Sequence, residues 1–255
     1  MRLVNKHIVV TGGTTGIGFA LSKALLDKGN DVLAIASSEG SIKKALAKEP
    51  RLKFYQADLS SSEARVKMMQ HMDTIFPGFD VLINNAGIQR WINLKNASQD
   101  WSFYRQELKL DFDAPVHLSM LAISAFKTIS EAAIINISSG LAITPGSWVP
   151  LYTAGKFGVH GFTQSLRLQL EDTHIKVFEV FPPSVNTGLG GLGNHNQGVL
   201  VDEFVPAVIE KIERDQFDVT YGTSHDRYNL TQEDKDKITL TNWHRFKNNP
   251  KFLKS

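Results

Sequence analysis

One stretch near the start leaves few folds open to this chain. The short β-branched run of residues 8–11 passes into Gly12-Gly13-Thr14-Thr15-Gly16-Ile17-Gly18, and then into the helix-periodic residues 19–26. This predicts strand, glycine turn, helix. The first N–H groups of such a helix lack acceptors and sit at the positive end of its dipole. Glycines there let a phosphate approach closely. The turn alone fits either a dinucleotide seat or a tight structural turn. Its place at the first strand-to-helix junction favours the dinucleotide.

The pattern then repeats. Strands are predicted at 32–36, 52–57, 80–84, 133–137, 175–181 and 217–221. Helical segments are predicted at 64–76, over most of 91–130 with a kink at Pro115, at 152–170 with Phe157, Phe162, Leu166 and Leu170 facing inwards, and at 201–212. Such alternation implies a parallel sheet covered on both faces. From His225 onward the charge rises and the pattern weakens, although Trp243 and Phe246 suggest that part of this tail docks on the body or on a partner subunit. The segment 186–198 is glycine-rich, as loops that close over substrates often are.

Composition narrows the function. A hydrophobic fraction of 42% and a charged fraction of 21% belong to an ordinary folded domain, and a net charge of +2 with scattered Lys and Arg calls for neither nucleic acid nor a membrane surface. There is no cysteine, which excludes disulfides, thiolate metal sites and cysteine nucleophiles, and no metal is expected. No run approaches the roughly 18 apolar residues of a membrane span, and no signal peptide is legible, so a cytoplasmic location is expected.

Candidate ligand residues fall at strand ends. A carboxylate closing the second strand would bond the adenosine ribose hydroxyls of NAD. Ala36, Ser37 and Ser38 stand there instead, with Lys43 and Lys44 a turn or two on, so the expectation leans to NADP over NAD; Glu39 nearby opposes a phosphate. Asp58, before Leu59, suits a helix cap, a bond to the adenine amino group, or both. Asn84 and Asn85 close the fourth strand, where buried carboxamides need partners. Ser139 ends the fifth strand, and Tyr152 and Lys156, four residues apart, share a helix face. A hydroxyl, a phenol and an ammonium suit proton transfer to a carbonyl oxygen, although taken singly they are also a loop serine, a half-buried tyrosine and a surface lysine.

Taken together and in order, these motifs resemble the short-chain dehydrogenase/reductase family, including its bacterial oxidoreductases, over about residues 5–222. They are Thr11-Gly12-xxx-Gly16-Ile17-Gly18, Asp58-Leu59, Asn84-Asn85-Ala86-Gly87, Ser139 thirteen residues before Tyr152, Tyr152-xxx-Lys156, and Pro182-xx-Val185-x-Thr187. The resemblance implies a Rossmann-type doubly wound α/β fold of about seven parallel strands, forming one domain over 1–255 with 223–255 as a polar C-terminal extension. It implies a nicotinamide cofactor, a small carbonyl or alcohol substrate, and a homo-oligomer, dimer or tetramer. Carried over, Tyr152 is the general acid in reduction and base in oxidation. Lys156 binds the nicotinamide ribose and lowers the phenol pKa, and Ser139 holds the substrate oxygen. Gly12, Thr14, Gly16 and Ile17 line the pyrophosphate, Ser37, Asp58 and Leu59 the adenosine end, Asn85, Ala86 and Gly87 the adenosine and sheet edge, and Pro182, Val185 and Thr187 the nicotinamide amide. Two positions depart from the family pattern. Asp111 stands where an asparagine usually supports a proton-relay water, and either feeds that relay or pairs with Lys156 and weakens its effect on Tyr152. Pro183 stands where glycine is common. Trp91, Trp148 and Phe181 suggest an apolar substrate pocket. A dinucleotide-binding regulatory or scaffold protein without turnover is the alternative function.

Overall fold

Seven parallel strands form the centre of the molecule in the order β3-β2-β1-β4-β5-β6-β7. They are β1 (His7–Thr11), β2 (Asp31–Ala36), β3 (Lys53–Gln56), β4 (Val81–Asn84), β5 (Ala132–Ile137), β6 (Ile175–Phe181) and β7 (Asp218–Thr220). The computed structural model describes residues 1–191 and 193–255; Leu192, in the glycine-rich segment, lies outside the described residues. Successive strand side chains point to opposite faces, and in β1, β2, β4 and β5 the apolar runs are nearly continuous because both faces are covered. Ile8, Val10, Val32 and Ala34 pack with Leu21 and Leu25 of α1 (Gly16–Asp27), Ala45 of α2 (Glu39–Lys48) and Val208 of α8 (Val201–Glu213). Their neighbours Val9, Leu33, Leu82 and Ile134 pack on the other face with Met68 of α3 (Ser62–Gln70), Leu118 of α6 (Ala114–Phe126) and Leu166 of α7 (Pro150–Gln169). The short α4 (Met72–Ile75) follows α3. The chain leaves β1 for β2 on one side and reaches β4 on the other. The switch point therefore opens between the C-terminal ends of β1 and β4, where α/β sheets bind ligands.

The long helix expected across 91–130 is interrupted. Residues 91–100 contain no regular helix, α5 covers Trp101–Leu108, and a π-helical turn, Lys109–Asp113, leads into α6. Pro115 lies inside a helical stretch that runs without a break over 101–126, two residues after the π-helical turn, so its missing N–H falls where the helix already departs from α geometry. Phe157 is 40% exposed, correcting the expectation that it faces inwards; Leu166 and Leu170 are buried. The polar extension is helical, comprising α9 (Thr223–Tyr228), α10 (Gln232–Phe246) and α11 (Pro250–Leu253). No residue of α10 is fully buried, which is why its sequence carries no apolar stripe. Its end nevertheless docks: Phe246 stacks on Trp148 at 3.9 Å between ring centroids and meets Trp91 edge-on at 5.5 Å. No described helix is long and apolar enough to cross a membrane.

Candidate active site

A cavity of about 1140 Å³ opens at the switch point. At one end it is lined by Gly12, Thr15, Gly16 and Ile17 of the glycine turn. Gly12 donates its N–H to Ile35 O at 2.8 Å, and with φ of +65° and +52° Gly12 and Gly16 take a conformation that side chains disfavour. A Cβ on Gly18 would collide with the Gly12 carbonyl and the Asn85 amide, so this position holds the turn against β4. Thr15, at the N-cap of α1, gives the first N–H groups no side-chain acceptor, and the geometry suits the pyrophosphate of a dinucleotide. Thr14 does not line the cavity: its hydroxyl turns to Ser41 at 3.0 Å, and Thr15 takes the lining position.

Ser37, Asp58 and Leu59 follow the C-terminal ends of β2 and β3, beyond the lining of the cavity. Ser37 is exposed, Ser38 caps α2, and Lys43 pairs with Glu39 at 2.6 Å, so that lysine is partly committed. The cap of α3 is Ser61, not Asp58; Asp58 instead accepts the N–H of Ser60 at 2.9 Å, leaving its other oxygen in solvent reach. The two carboxamides do tie elements together. Asn84 donates to Asn136 and Ser119, and Asn85 donates to Thr11 O while its own N–H bonds the Thr11 hydroxyl. Ala86 N–H bonds that hydroxyl too, so Thr11 fixes the β1–β4 opening.

At the other end stand Ser139, Tyr152 and Lys156, all buried and all lining the cavity. Ser139 follows β5 in an extended conformation, and its Oγ accepts the Leu141 N–H at 3.0 Å. Its hydroxyl faces the Tyr152 phenol, whose charged form it favours, and both groups border the cavity. Lys156 gives one N–H to Ile137 O at 3.1 Å, and its Nζ lies 3.5 Å from Asp111 Oδ1 and 5.4 Å from the Tyr152 ring centroid. Asp111 is wholly buried; its Oδ2 accepts the Ile88 N–H, and a Cβ on Gly87 would strike Oδ1. Thus Asp111 pairs with the lysine.

The charges settle the state of the phenol. Burial, then the negative Asp111, then more weakly Glu107 push the Tyr152 pKa above its ordinary value, with the Ser139 hydroxyl pulling the other way. The expected lowering by Lys156 is not found, because that ammonium is spent on Asp111 and Ile137 O. Tyr152 is held protonated.

Glu107, one helical turn before Asp111, was not among the residues singled out from the sequence; only its i, i+4 spacing to Asp111 could have marked it. It is fully buried, accepts the Arg90 N–H at 3.0 Å through Oε1, and its Oε2 has no partner among the described residues. Burial is the main cause raising its carboxyl to about 7, opposed by the Arg90 N–H; Asp111, raised to about 6, is likewise pushed chiefly by burial and held back by Lys156. Between pH 4.5 and about 7 the folded protein retains a proton at Glu107 that the unfolded chain releases, so stability falls as pH rises through that window. Glu107→Gln is expected to flatten this fall and to recover on the order of 1–3 kcal/mol at pH 8, read by urea denaturation at pH 5 and pH 8. An unchanged pH dependence contradicts it.

The remaining lining comes from later segments. Pro182, Pro183, Val185 and Thr187 follow β6; Pro182 O accepts the Gly140 N–H at 2.8 Å, and a Cβ on Gly16 would lie 3.5 Å from Thr187 Cβ. Val185 bridges Val199, closing the base of the glycine-rich loop, and Lys251 of α11 clasps that loop at Gly190 O and Asn194 Oδ1. Trp91 and Trp148 line the cavity as expected, but Phe181 is core. Arg227, Asn242, Arg245 and Phe246 of α9 and α10 complete the wall, a role hidden by the weak pattern of the tail.

Known proteins share this architecture. The solved structure of a short chain dehydrogenase from Burkholderia cenocepacia J2315 in complex with NADP superimposes with a TM-score of 0.81 at 22% identity, over 94% of this chain and 98% of that one. "Uncharacterized oxidoreductase DltE" of Bacillus subtilis (strain 168) is 33% identical over 93% of this chain and 96% of its own length. A D-beta-hydroxybutyrate dehydrogenase of Cupriavidus necator is 28% identical over 73% of each chain. The family model described as short chain dehydrogenase matches residues 6–197. With the phosphate turn, the Asn-Asn-Ala-Gly strand end and the Ser-Tyr-Lys cluster around one cavity, this chain belongs to the short-chain dehydrogenase family.

Proposed function

We propose that the protein is an NAD(P)-dependent oxidoreductase that reduces a carbonyl compound to a secondary alcohol, with residues 1–255 acting as one domain. The observation that carries this reading is the convergence of the Ser139 hydroxyl and a protonated Tyr152 phenol on the far end of a cavity that begins at the glycine turn. A bound nicotinamide cofactor would supply the hydride. Ser139 and Tyr152 donate hydrogen bonds to the substrate oxygen, and Tyr152 passes its proton to that oxygen as negative charge builds there. Lys156 holds the nicotinamide ribose with its remaining N–H, and Asp111 orients the ammonium. A phenol held protonated suits the reductive direction. NADP is the preferred cofactor, supported by the absence of a carboxylate at 36–38 and by the NADP complex of the Burkholderia relative.

Phe157 and Leu168, eleven residues apart on one face of α7, are exposed, and we assign that face to self-association in a cytoplasmic dimer or tetramer. The test of function is titration of the purified protein with NADPH and NADH, read by nicotinamide fluorescence, followed by a carbonyl screen with the tighter cofactor. Binding of NADPH at least about tenfold tighter and its oxidation by a carbonyl are expected. The Asp111–Lys156 contact also favours a second reading, a cofactor-binding regulatory protein, which requires tight cofactor binding and no oxidation across the screen.

A further inference from the structure

Every charged side chain that lines the cavity has the same sign. Arg90, Lys156, Arg227 and Arg245 line it, and among the described residues no aspartate or glutamate does. Two of the four are already engaged. The Arg90 guanidinium donates to Phe103 O and Gln106 Oε1 and lies 4.4 Å from the Phe103 ring centroid, and Lys156 bonds Ile137 O beside Asp111. The other two are not. Arg227, part-buried on α9, gives a single N–H to Thr144 Oγ1 at 3.2 Å, and its remaining donors have no acceptor among the described residues. Burial holds its pKa below the ordinary arginine value, with Asp226 only partly offsetting this. Arg245 on α10 is exposed, rests near the Phe246 ring at 5.7 Å and forms no ion pair among the described residues.

Arg227, partly withdrawn from water and only partly offset by Asp226, carries a cost that a bound anion returns, and the exposed Arg245 adds a second positive charge to the same wall. The cofactor's pyrophosphate does not account for these two arginines. Its seat is the turn of Gly12, Thr15, Gly16 and Ile17, whereas Arg227 is bonded to Thr144, and its helix α9 packs through Ser224 against Gly140, the residue after Ser139. The same cavity is lined by the stacked Trp148 and Phe246, with Trp91 edge-on to Phe246. They form an apolar wall for the body of a substrate.

Resting on the reductase reading, we propose that the substrate is an anionic carbonyl compound, bearing a carboxylate or a phosphate ester that Arg227 and Arg245 receive while its carbonyl oxygen meets Ser139 and Tyr152. The guanidinium fork matches either anion.

The experiment compares matched pairs with NADPH: oxo acids of increasing length against their methyl esters, and phosphorylated carbonyls against their unphosphorylated forms. In at least one series the charged member is expected to show about 100-fold higher kcat/KM, as when a site's polar groups are left unpaired by the analogue. In Arg227→Gln and Arg245→Gln that ratio should fall by roughly tenfold or more, chiefly through KM, with NADPH affinity retained. Equal turnover of charged and neutral members, or a ratio unchanged in both variants, overturns the proposal. Calorimetric binding of the same pairs to the enzyme–NADP complex separates the two claims. Preferred binding of the charged member without any turnover supports the anion site and removes the reductase reading; turnover of neutral carbonyls alone does the reverse.

Discussion

Tyr152→Phe is expected to lower kcat by at least about 10³-fold while leaving NADPH binding within a few-fold of the parent protein. The substitution removes one oxygen from a side chain that is 6% exposed, so the ring continues to fill its place against α7 and the cavity wall. What it removes is the proton. Among the groups lining the proton-donating end, the Ser139 hydroxyl can donate a hydrogen bond but is too weak an acid to replace a phenol, and Lys156 is turned to Asp111 and the Ile137 carbonyl. The resting phenol is raised in pKa by burial and by Asp111, so the parent enzyme should keep its reductive rate to the alkaline side of neutrality. Steady-state kinetics with a reducible carbonyl, alongside a cofactor titration, check both halves. Retained turnover in Tyr152→Phe would remove the tyrosine from the mechanism.

Lys156→Met should destabilise the fold by about 3–5 kcal/mol at pH 8, the cost of leaving a buried charge without its partner. Asp111 has no exposure, and among the described residues its partners besides Lys156 reduce to the Ile88 N–H. Its carboxyl already titrates at about 6, raised by burial against the pull of Lys156, and removing the ammonium raises it further. Protonation then relieves the orphaned charge, so the penalty should be small at pH 5 and full at pH 8. The double variant Lys156→Met/Asp111→Asn should regain most of the loss at pH 8. Urea denaturation at the two pH values measures this; equal penalties at both, or a double variant no better than the single, would show that the pair contributes no such coupling.

The doubly wound sheet was legible because its strands are short, largely apolar, β-branched segments alternating with helical ones: residues 175–181 were predicted as a strand and form β6 with those bounds, Lys176 and Glu179 included. The Ser139, Tyr152 and Lys156 cluster was legible from spacing, since a strand end and one helix turn place those groups almost unaided. Other features depend on contacts distant in sequence. The π-helical turn at Lys109–Asp113 brings Asp111 under Lys156, but nothing in the local pattern distinguishes it from an α-helix continuing to Pro115. Glu107 resembles any carboxylate on a solvated helix face until α5 is packed against α7. Phe157 is apolar yet exposed, because helical periodicity marks a face without saying whether the protein itself covers it. The tail gave the weakest signal and forms a wall of the site, because its helices touch the body through Phe246 on Trp148 and Lys251 on Gly190 O and present polar groups to the cavity.

The central claim is that Tyr152 and its neighbours complete a hydride transfer from a nicotinamide to a carbonyl carbon. NADPH deuterated at C4, incubated with the protein and a reducible carbonyl, tests it by mass spectrometry of the product. The account predicts one deuterium on the carbinol carbon with the parent protein, from one C4 face only, and none with Tyr152→Phe. Saturating cofactor binding with no label transferred to any carbonyl of the screen would contradict it.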